Sequence, residues 1–86
     1  FFRADLSQNS LLRRSICNYV NFVDCNLENV DFSFADLSNS DFNGSNLKFA
    51  NLCNTKQTAV RNLNRAVNTE ETKCFPQENI DEQINE

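Results

Sequence analysis

The side chains best suited to chemistry in this sequence are four cysteines, which stand eight, twenty-eight and twenty-one residues apart: Cys17, Cys25, Cys53 and Cys74. A structural zinc site is built from closely paired cysteines, commonly with histidine. This sequence has no Cys-x-x-Cys pair and no histidine. The spacing therefore argues against a metal centre, and we expect no cofactor.

Acid–base and nucleophilic catalysis have equally little support in the sequence. Histidine is absent, and the carboxylates are dispersed along the chain instead of converging on one segment. Asn43-Gly44-Ser45 fits a glycosylation acceptor, but it lies inside a regular pattern where a corner with a lone glycine is the preferred interpretation. We expect no catalytic residues and no small-molecule substrate.

The net charge of −4 is unevenly distributed. Residues 1–54 contain six acids and four bases, residues 55–68 contain three bases and no acid, and residues 69–86 contain six acids and one base. The acidic excess is typical of a solvated C-terminal end. Without a large basic patch or a long apolar run, we expect neither direct nucleic-acid binding nor membrane insertion.

A five-residue period runs without a break from Ser10 to Asn54. It matches neither an α-helix nor a strand, and it indicates a solenoid in which each pentad forms one side of a coil. The central residue of each pentad, i, is apolar or a thiol: Leu12, Cys17, Phe22, Leu27, Phe32, Leu37, Phe42, Leu47 and Leu52. The residues at i−2 are small or medium-sized: Ser10, Ser15, Val20, Cys25, Val30, Ala35, Ser40, Ser45 and Ala50. Both sets are predicted to point inward.

The pattern resembles the pentapeptide-repeat family, whose repeat is Ala-(Asp/Asn)-Leu-X-X. The clearest matches are Ala4-Asp5-Leu6, Ala35-Asp36-Leu37, Ser40-Asp41-Phe42, Ser45-Asn46-Leu47 and Ala50-Asn51-Leu52. The resemblance implies an all-β solenoid, a right-handed quadrilateral β-helix with four pentads to a coil. We therefore assign residues 1–54 to the β-helix and residues 55–86 to a C-terminal cap and acidic tail.

The frame of the first pentad differs from the rest, because residues 4–8 are out of phase by one residue. Continuing their frame would bury Arg14, and an unpaired buried arginine costs far more than exposing Leu11 and Ile16. We therefore predict a one-residue bulge near Asn9. Centres one coil apart then pair like with like in two columns, Leu6, Leu27 and Leu47 and Phe1, Phe22 and Phe42, while Leu12, Phe32 and Leu52 lie on another face.

Asparagine or aspartate recurs at i−1 throughout the repeat: Asn21, Asn26, Asp31, Asp36, Asp41, Asn46 and Asn51. These side chains can bond nearby backbone groups and tolerate unusual dihedral angles, which suits tight corners. The series needs no ligand to explain it.

The end of the repeat needs a cap. Residues 58–68 place Ala59, Val60, Leu63, Ala66 and Val67 at helical spacing, which predicts a C-terminal capping α-helix. Residues 79–86 could add a short acidic helix. The sequence lacks methionine and begins at Phe1 in mid-repeat, so we expect further coils, a cap or a partner upstream.

The frame predicts that Cys17 and Cys25 are interior and that Cys53, at i+1, points outward. Leu52-Cys53-Asn54-Thr55, followed by Cys74, is similar to an element that ends many cyanobacterial and plastid members of the family, although here Lys56-Gln57-Thr58 replaces the usual turn. The resemblance implies a Cys53–Cys74 disulfide that pins the cap, contributing about 3 kcal/mol. Such a bond favours an oxidising compartment, the thylakoid lumen or the periplasm, or secretion.

Three aromatic residues fall at the outward i+2 position: Tyr19, Phe34 and Phe49. Phe34 shares a face with Arg14 one coil below and with Cys53 and Asn54 one coil above. Exposed apolar side chains of this kind indicate either docking of the C-terminal tail or a partner surface, and both alternatives stay open.

The preferred function is a non-catalytic scaffold that presents flat faces to a protein partner, within a membrane-associated or photosynthetic complex. Family resemblance suggests an alternative, a DNA-mimicking binder of a type II topoisomerase, DNA gyrase, that confers inhibitor resistance. That role needs a long acidic stripe, whereas the frame puts Asp5, Asp31, Asp36 and Asp41 on four faces of a rod of roughly 13 Å. A small-ligand binder is weaker still, because leucine and phenylalanine fill the interior.

Overall fold

The computed structural model describes residues 1–7 and 11–76, and these wind into stacked coils. Ten parallel bridges join residues between twenty and twenty-two positions apart. Within the described ranges the bridges are isolated, and the chain forms neither an extended strand nor an α-helix. Two 3-10 turns, Leu63–Arg65 and Thr69–Glu71, lie in the last coil.

The bridges fall into four columns, and we call the pentads around each column a face. Face 1 is built around Asp5, Asn26, Asn46 and Val67; face 2 around Leu11, Asp31, Asn51 and Lys73; face 3 around Ile16, Asp36 and Lys56; and face 4 around Asn21, Asp41 and Arg61. Four pentads therefore complete one coil, as the resemblance implies. The right-handed sense of the coil stays a prediction.

Each coil is hydrogen-bonded to the coils above and below it. The N–H of Phe22, a centre, donates to the carbonyl of Asp41 one coil above at 2.8 Å, and the N–H of Asp41 donates to the carbonyl of Val20 one coil below at 3.1 Å. The i+2 N–H groups add a further bond to the coil above, as from Asp24 to the carbonyl of Asn43 at 2.9 Å, and the corner that follows each centre keeps the paired stretches short. The chain thus satisfies its backbone groups between coils without forming long strands.

The corner of each pentad has two recurring features. The N–H of the next i−2 residue donates to the carbonyl of the centre, as from Ala35 to Phe32 at 2.9 Å, and every described i+2 residue from Arg3 to Ala59 has a positive φ. In addition, the i−1 side chain accepts a bond from the i+1 N–H, at 2.9–3.1 Å in all eight cases from Asp5 to Asn51. The predicted side-chain bonds are confirmed, but the left-handed backbone falls at i+2 and not at i−1.

The core consists of the predicted inward residues. The centres Phe22, Leu27, Phe32, Leu37, Phe42, Leu47 and Leu52 are at most 1% exposed. Leu6 and Leu12, at the N-terminal level, are half-buried. Phe1, Phe22 and Phe42 stack with ring centroids 5.8 and 4.8 Å apart. Phe32 meets Phe22 and Phe42 edge-on, so one aromatic cluster spans faces 2 and 4.

The predicted frame is confirmed by the register of the bridges. Asp5 pairs with Asn26, twenty-one residues later, whereas Leu11 pairs with Asp31, twenty residues later. One extra residue is therefore absorbed between Asp5 and Leu11, although Asn9 and Ser10 themselves lie outside the described residues. Leu11 and Ile16 are 82% and 80% exposed, as the predicted frame requires.

The prediction of an α-helix over residues 58–68 is wrong. Arg61 and Val67 instead pair with the coil below, their N–H groups donating to the carbonyls of Ser40 and Ser45 at 2.7 and 2.8 Å. A helix would use these groups internally and leave the edge of that coil unpaired. The 3-10 turns mark where single residues are added, since the spacing rises to twenty-one for Asn46 and Val67 and to twenty-two for Asn51 and Lys73.

The last coil packs on the coil below it. Leu63 and Thr72 are buried, and the Thr72 hydroxyl donates to the Leu47 carbonyl at 2.7 Å. The predicted acidic helix over residues 79–86 lies outside the described residues. In the part of the chain that the structure covers, no helix has the length and apolar character needed to cross a bilayer.

Candidate interaction surface

The two outward cysteines are joined. Cys53 and Cys74 form a disulfide with their Cα atoms 5.0 Å apart, as the resemblance implies. The bond links successive levels of face 2 and closes the last coil against the repeat. Cys17 and Cys25 are free and buried, which confirms their interior positions.

Phe34 lies at the centre of a cationic cluster on face 2. The guanidinium carbons of Arg13 and Arg14 lie 5.3 and 5.1 Å from the centroid of its ring, within the range of cation–π attraction. Arg13 Nε also donates to the Ser33 hydroxyl at 3.2 Å, and Ser33 is only 5% exposed. An i+1 residue predicted to face outward is thus covered by its neighbours.

The other aromatic residues of the predicted surface lie elsewhere. Tyr19 occupies the corner between faces 3 and 4 and is 78% exposed. Phe49 lies at the corner between faces 1 and 2, with Lys48 Nζ 5.3 Å from its ring centroid. The structure therefore brings together Arg14 and Phe34, puts Phe49 at the opposite border of face 2, and separates Tyr19 from both.

Arg13 is the member of this cluster that sequence reasoning missed. A signal for it was available, because Arg13 precedes Ser33 by one coil of twenty residues and so had to lie directly below it. Phe34 itself remains 48% exposed. Tail docking by residues 77–86, the open alternative, lies outside the described residues.

The repeat geometry agrees with a comparison against protein families. Models of pentapeptide repeats match residues 1–44 and 21–56 with eight copies, so that together they span most of the chain. The chain belongs to the pentapeptide-repeat family. No curated protein and no solved structure gives a match. Pentapeptide-repeat proteins have a β-helix fold, are generally non-catalytic, and typically serve as structural or protein-interaction modules.

The corner carboxylates of this pentapeptide-repeat protein are held in their ionised form. The hydroxyl and N–H of Ser7 donate to Asp5 at 2.6 and 2.9 Å and lower the pKa of its carboxyl. The Asn62 amide, which donates to Asp41 at 3.0 Å, does the same for the pKa of Asp41. The hydroxyl and N–H of Ser33 lower the pKa of Asp31, and the Ser38 N–H, which donates to Asp36 at 3.0 Å, lowers the pKa of Asp36. These groups stabilise corners and are not poised to exchange protons near neutral pH.

The other candidate sites of the repeat are structural. Ser45 of the glycosylation sequon is fully buried, and its hydroxyl donates to the Phe42 carbonyl at 2.9 Å. Among the described residues there is no cluster of side chains able to hold a metal ion. An open depression of about 240 Å³ at the C-terminal end is lined by Gln57, Val60, Asn62, Leu63, Asn64, Phe75 and Pro76. It has no titratable side chain, so it offers no acid–base chemistry.

Proposed function

We propose that this chain is a non-catalytic scaffold, a short rigid β-helix that presents its flat faces to a protein partner. The observation that carries the proposal is the division between interior and surface. The interior is filled by leucine and phenylalanine, whereas exposed aromatic and charged residues occupy the corners, including Arg14, Phe34 and Phe49. A filled interior leaves the outer faces as the place where binding can occur.

The distribution of acids opposes the DNA-mimic alternative. Asp5, Asp31, Asp36 and Asp41 belong to four different bridge columns, so that each face carries one of them. Four levels of coil extend over roughly 14 Å at the usual spacing between strands. A mimic of duplex DNA requires a long acidic stripe on one side.

The disulfide supports an assignment to an oxidising compartment, because such bonds persist where thiols are not kept reduced. We propose the thylakoid lumen of a cyanobacterium or plastid, or a periplasm, with a membrane-associated or photosynthetic complex as the partner. In this proposal residues 1–54 form the binding part. The segment from residue 55 serves as its cap, as a further coil and not as the helix first expected.

Affinity capture of the full-length protein from its native source, followed by mass spectrometry, tests the proposal. A membrane-associated or photosynthetic assembly as the main partner would support a scaffold. Recovery of gyrase subunits would overturn it in favour of the alternative. Mass analysis of the same material without reductant tests the compartment, since free Cys53 and Cys74 thiols would remove the argument for an oxidising location.

A further inference from the structure

Two residues of face 2 are explained neither by local conformation nor by burial. Arg14 and Phe34 occupy successive i+2 positions with φ values of 66° and 63°. Asparagine, aspartate and glycine tolerate this left-handed backbone, and they fill the position at Asp24, Asn29, Asn39, Gly44 and Asn54. A bulky side chain there is strained, and Phe34 recovers little by burial because it is half exposed. Arg3, Tyr19 and Phe49 carry the same strain at other corners. The strain therefore marks face 2 only together with the contacts that Arg13 and Arg14 make with the Phe34 ring.

Among the described residues, no carboxylate lies within 4.0 Å of the Arg13 or Arg14 guanidinium, although the charge of Arg13 helps to lower the pKa of Asp31. Over residues 1–7 and 11–76, the one ion pair closer than 4.0 Å joins Arg3 to Asp24 on face 4. Arg13 donates to a neutral hydroxyl, and both guanidinium groups rest against the same ring. Guanidinium groups have further N–H donors arranged to receive a carboxylate.

Charge and apolar surface coincide on this face. Face 2 carries Arg13, Arg14 and Lys73 against a single acid, Asp31, a net charge of +2. Its exposed apolar side chains are Leu11 at the N-terminal edge and Phe34, with Phe49 at the border. On face 1, by contrast, the pentads around Asp5, Asn26 and Asn46 carry two acids and one base.

We propose that face 2 binds an acidic peptide segment of the partner protein. Carboxylates of the segment pair with Arg13 and Arg14, and an apolar side chain beside them packs on Phe34 and Leu11. The proposal rests on the interaction function proposed above and specifies its surface and the chemistry of its ligand.

Selection of a random displayed peptide library on the oxidised full-length chain tests the proposal. Selected peptides should combine aspartate or glutamate with an apolar residue, and their binding should weaken as the ionic strength rises. Three variants should each lower the affinity for the selected peptides, prepared by synthesis, by about tenfold or more: Phe34→Asn, Arg14→Asn and Arg13→Gln. Each variant removes either a contact that the peptide would bury or a charge pair. Asparagine suits the left-handed backbone at residues 14 and 34, so losses in Phe34→Asn and Arg14→Asn cannot be ascribed to misfolding.

Tyr19→Asn and Arg65→Gln serve as matched controls on other faces, and each should change the affinity by less than about twofold. Selected peptides that are basic or neutral would overturn the proposal, and so would a failure to enrich any peptide relative to a variant that combines Phe34→Asn, Arg14→Asn and Arg13→Gln. Selected peptides whose affinity is unchanged by the face 2 variants would also overturn the proposal. The interaction function itself would remain, and the capture experiment tests it separately.

Two further occupants are distinguished by the same assay. Vesicles containing phosphatidylserine that bind as tightly as the peptides, and lose binding with the same variants, would assign face 2 to a membrane surface. A full-length variant with Glu78→Gln, Asp81→Asn, Glu82→Gln and Glu86→Gln tests the chain's own acids. A gain in peptide affinity above about tenfold in that variant would assign the face to those residues, and either result would overturn the proposal.

Discussion

At the scale of the residue, Ser40 and Ser45 both occupy i−2 positions, but their hydroxyls make different hydrogen bonds. At most corners the N–H of the next pentad bonds to the carbonyl of the centre, but after Cys17 this bond is replaced. The Ser40 hydroxyl, one coil above, donates to the Cys17 carbonyl and accepts from the Val20 N–H at 3.0 Å. Ser45 only adds a second bond to the Phe42 carbonyl, which already accepts the Ser45 N–H at 3.0 Å.

Ser40→Ala should therefore lower the free energy of unfolding by about 1–3 kcal/mol, because it leaves the half-buried Val20 N–H and the buried Cys17 carbonyl without partners. Ser45→Ala, the matched control, should change it by less than about 0.5 kcal/mol, since alanine occupies the same position at Ala35 and Ala50. Urea denaturation of both variants measures the difference. Equal losses would show that the Ser40 bonds do not replace the corner bond.

Exposed residues at left-handed positions allow a second prediction. Tyr19 has a φ of 61°, and no cation lies against its ring among the contacts of the described residues. Tyr19→Asn should raise the free energy of unfolding by about 1 kcal/mol, because asparagine tolerates that backbone.

The reverse change one coil above, Asn39→Tyr at a φ of 64°, should lower the free energy of unfolding by a similar amount. Thermal unfolding of the two variants measures both effects. Shifts of the same sign in both variants would contradict the conformational explanation.

At the scale of the element, the corner is the unit that the sequence specifies best. The i−1 series predicted the side-chain bonds, and the twenty-residue columns predicted the stacking of Phe22 on Phe42 and the frame around Arg14. The last coil could not be predicted in the same way, because Gln57 occupies a centre and the following apolar residues return at helical spacing. A further coil is favoured over a helix because it pairs with the free backbone groups of the coil below, and this contact between coils is not visible in the local sequence pattern. The i+2 series alone could not predict the role of Arg13, because Arg13 occupies an i+1 position.

The corner carboxylates predict the response of the fold to acid. Asp5, Asp31, Asp36 and Asp41 have pKa values lowered from the ordinary 3.8, so the folded state favours their ionised form. Their stabilising effect is complete above the unfolded pKa and is lost as the pH falls through the lower, folded value. The free energy of unfolding should therefore decline below a pH of 3.8.

Replacing all four aspartates by asparagine should flatten this acid decline and lower the free energy of unfolding at neutral pH toward its acid value, because asparagine keeps the corner bond, as at Asn26 and Asn51, but not the ionised acceptor. Urea midpoints measured across the acid range test this. An acid decline as steep as that of the original chain would show that other carboxylates are responsible.

At the scale of the whole molecule, each coil is stabilised by its contacts with the neighbouring coils, so the coils at the two ends, which have one neighbour, are the least stable. The upper end is closed by a coil that departs from the pentad pattern at Gln57, and two 3-10 turns lengthen it. Its attachment depends on bridges at Lys56, Arg61, Val67 and Lys73 and on the Cys53–Cys74 bond.

Cys53→Ser with Cys74→Ser should therefore lower the free energy of unfolding by about 3 kcal/mol and expose Leu47 and Leu52 to a hydrophobic dye. Cys17→Ala with Cys25→Ala retains the disulfide, so its stability should fall on addition of reductant as that of the original chain does. Dye binding that stays the same after the disulfide is removed would show that the bridges alone hold the last coil.

The corner bond that Asn and Asp make equally well also bears on how such a surface can evolve. Exchange between the two residues changes the charge of a face by one unit while the backbone keeps its shape. Eight positions distributed over the four faces are open to this exchange. The charge of a face can therefore change toward a new partner by single substitutions that keep the corner bond, without the chain first acquiring a new fold.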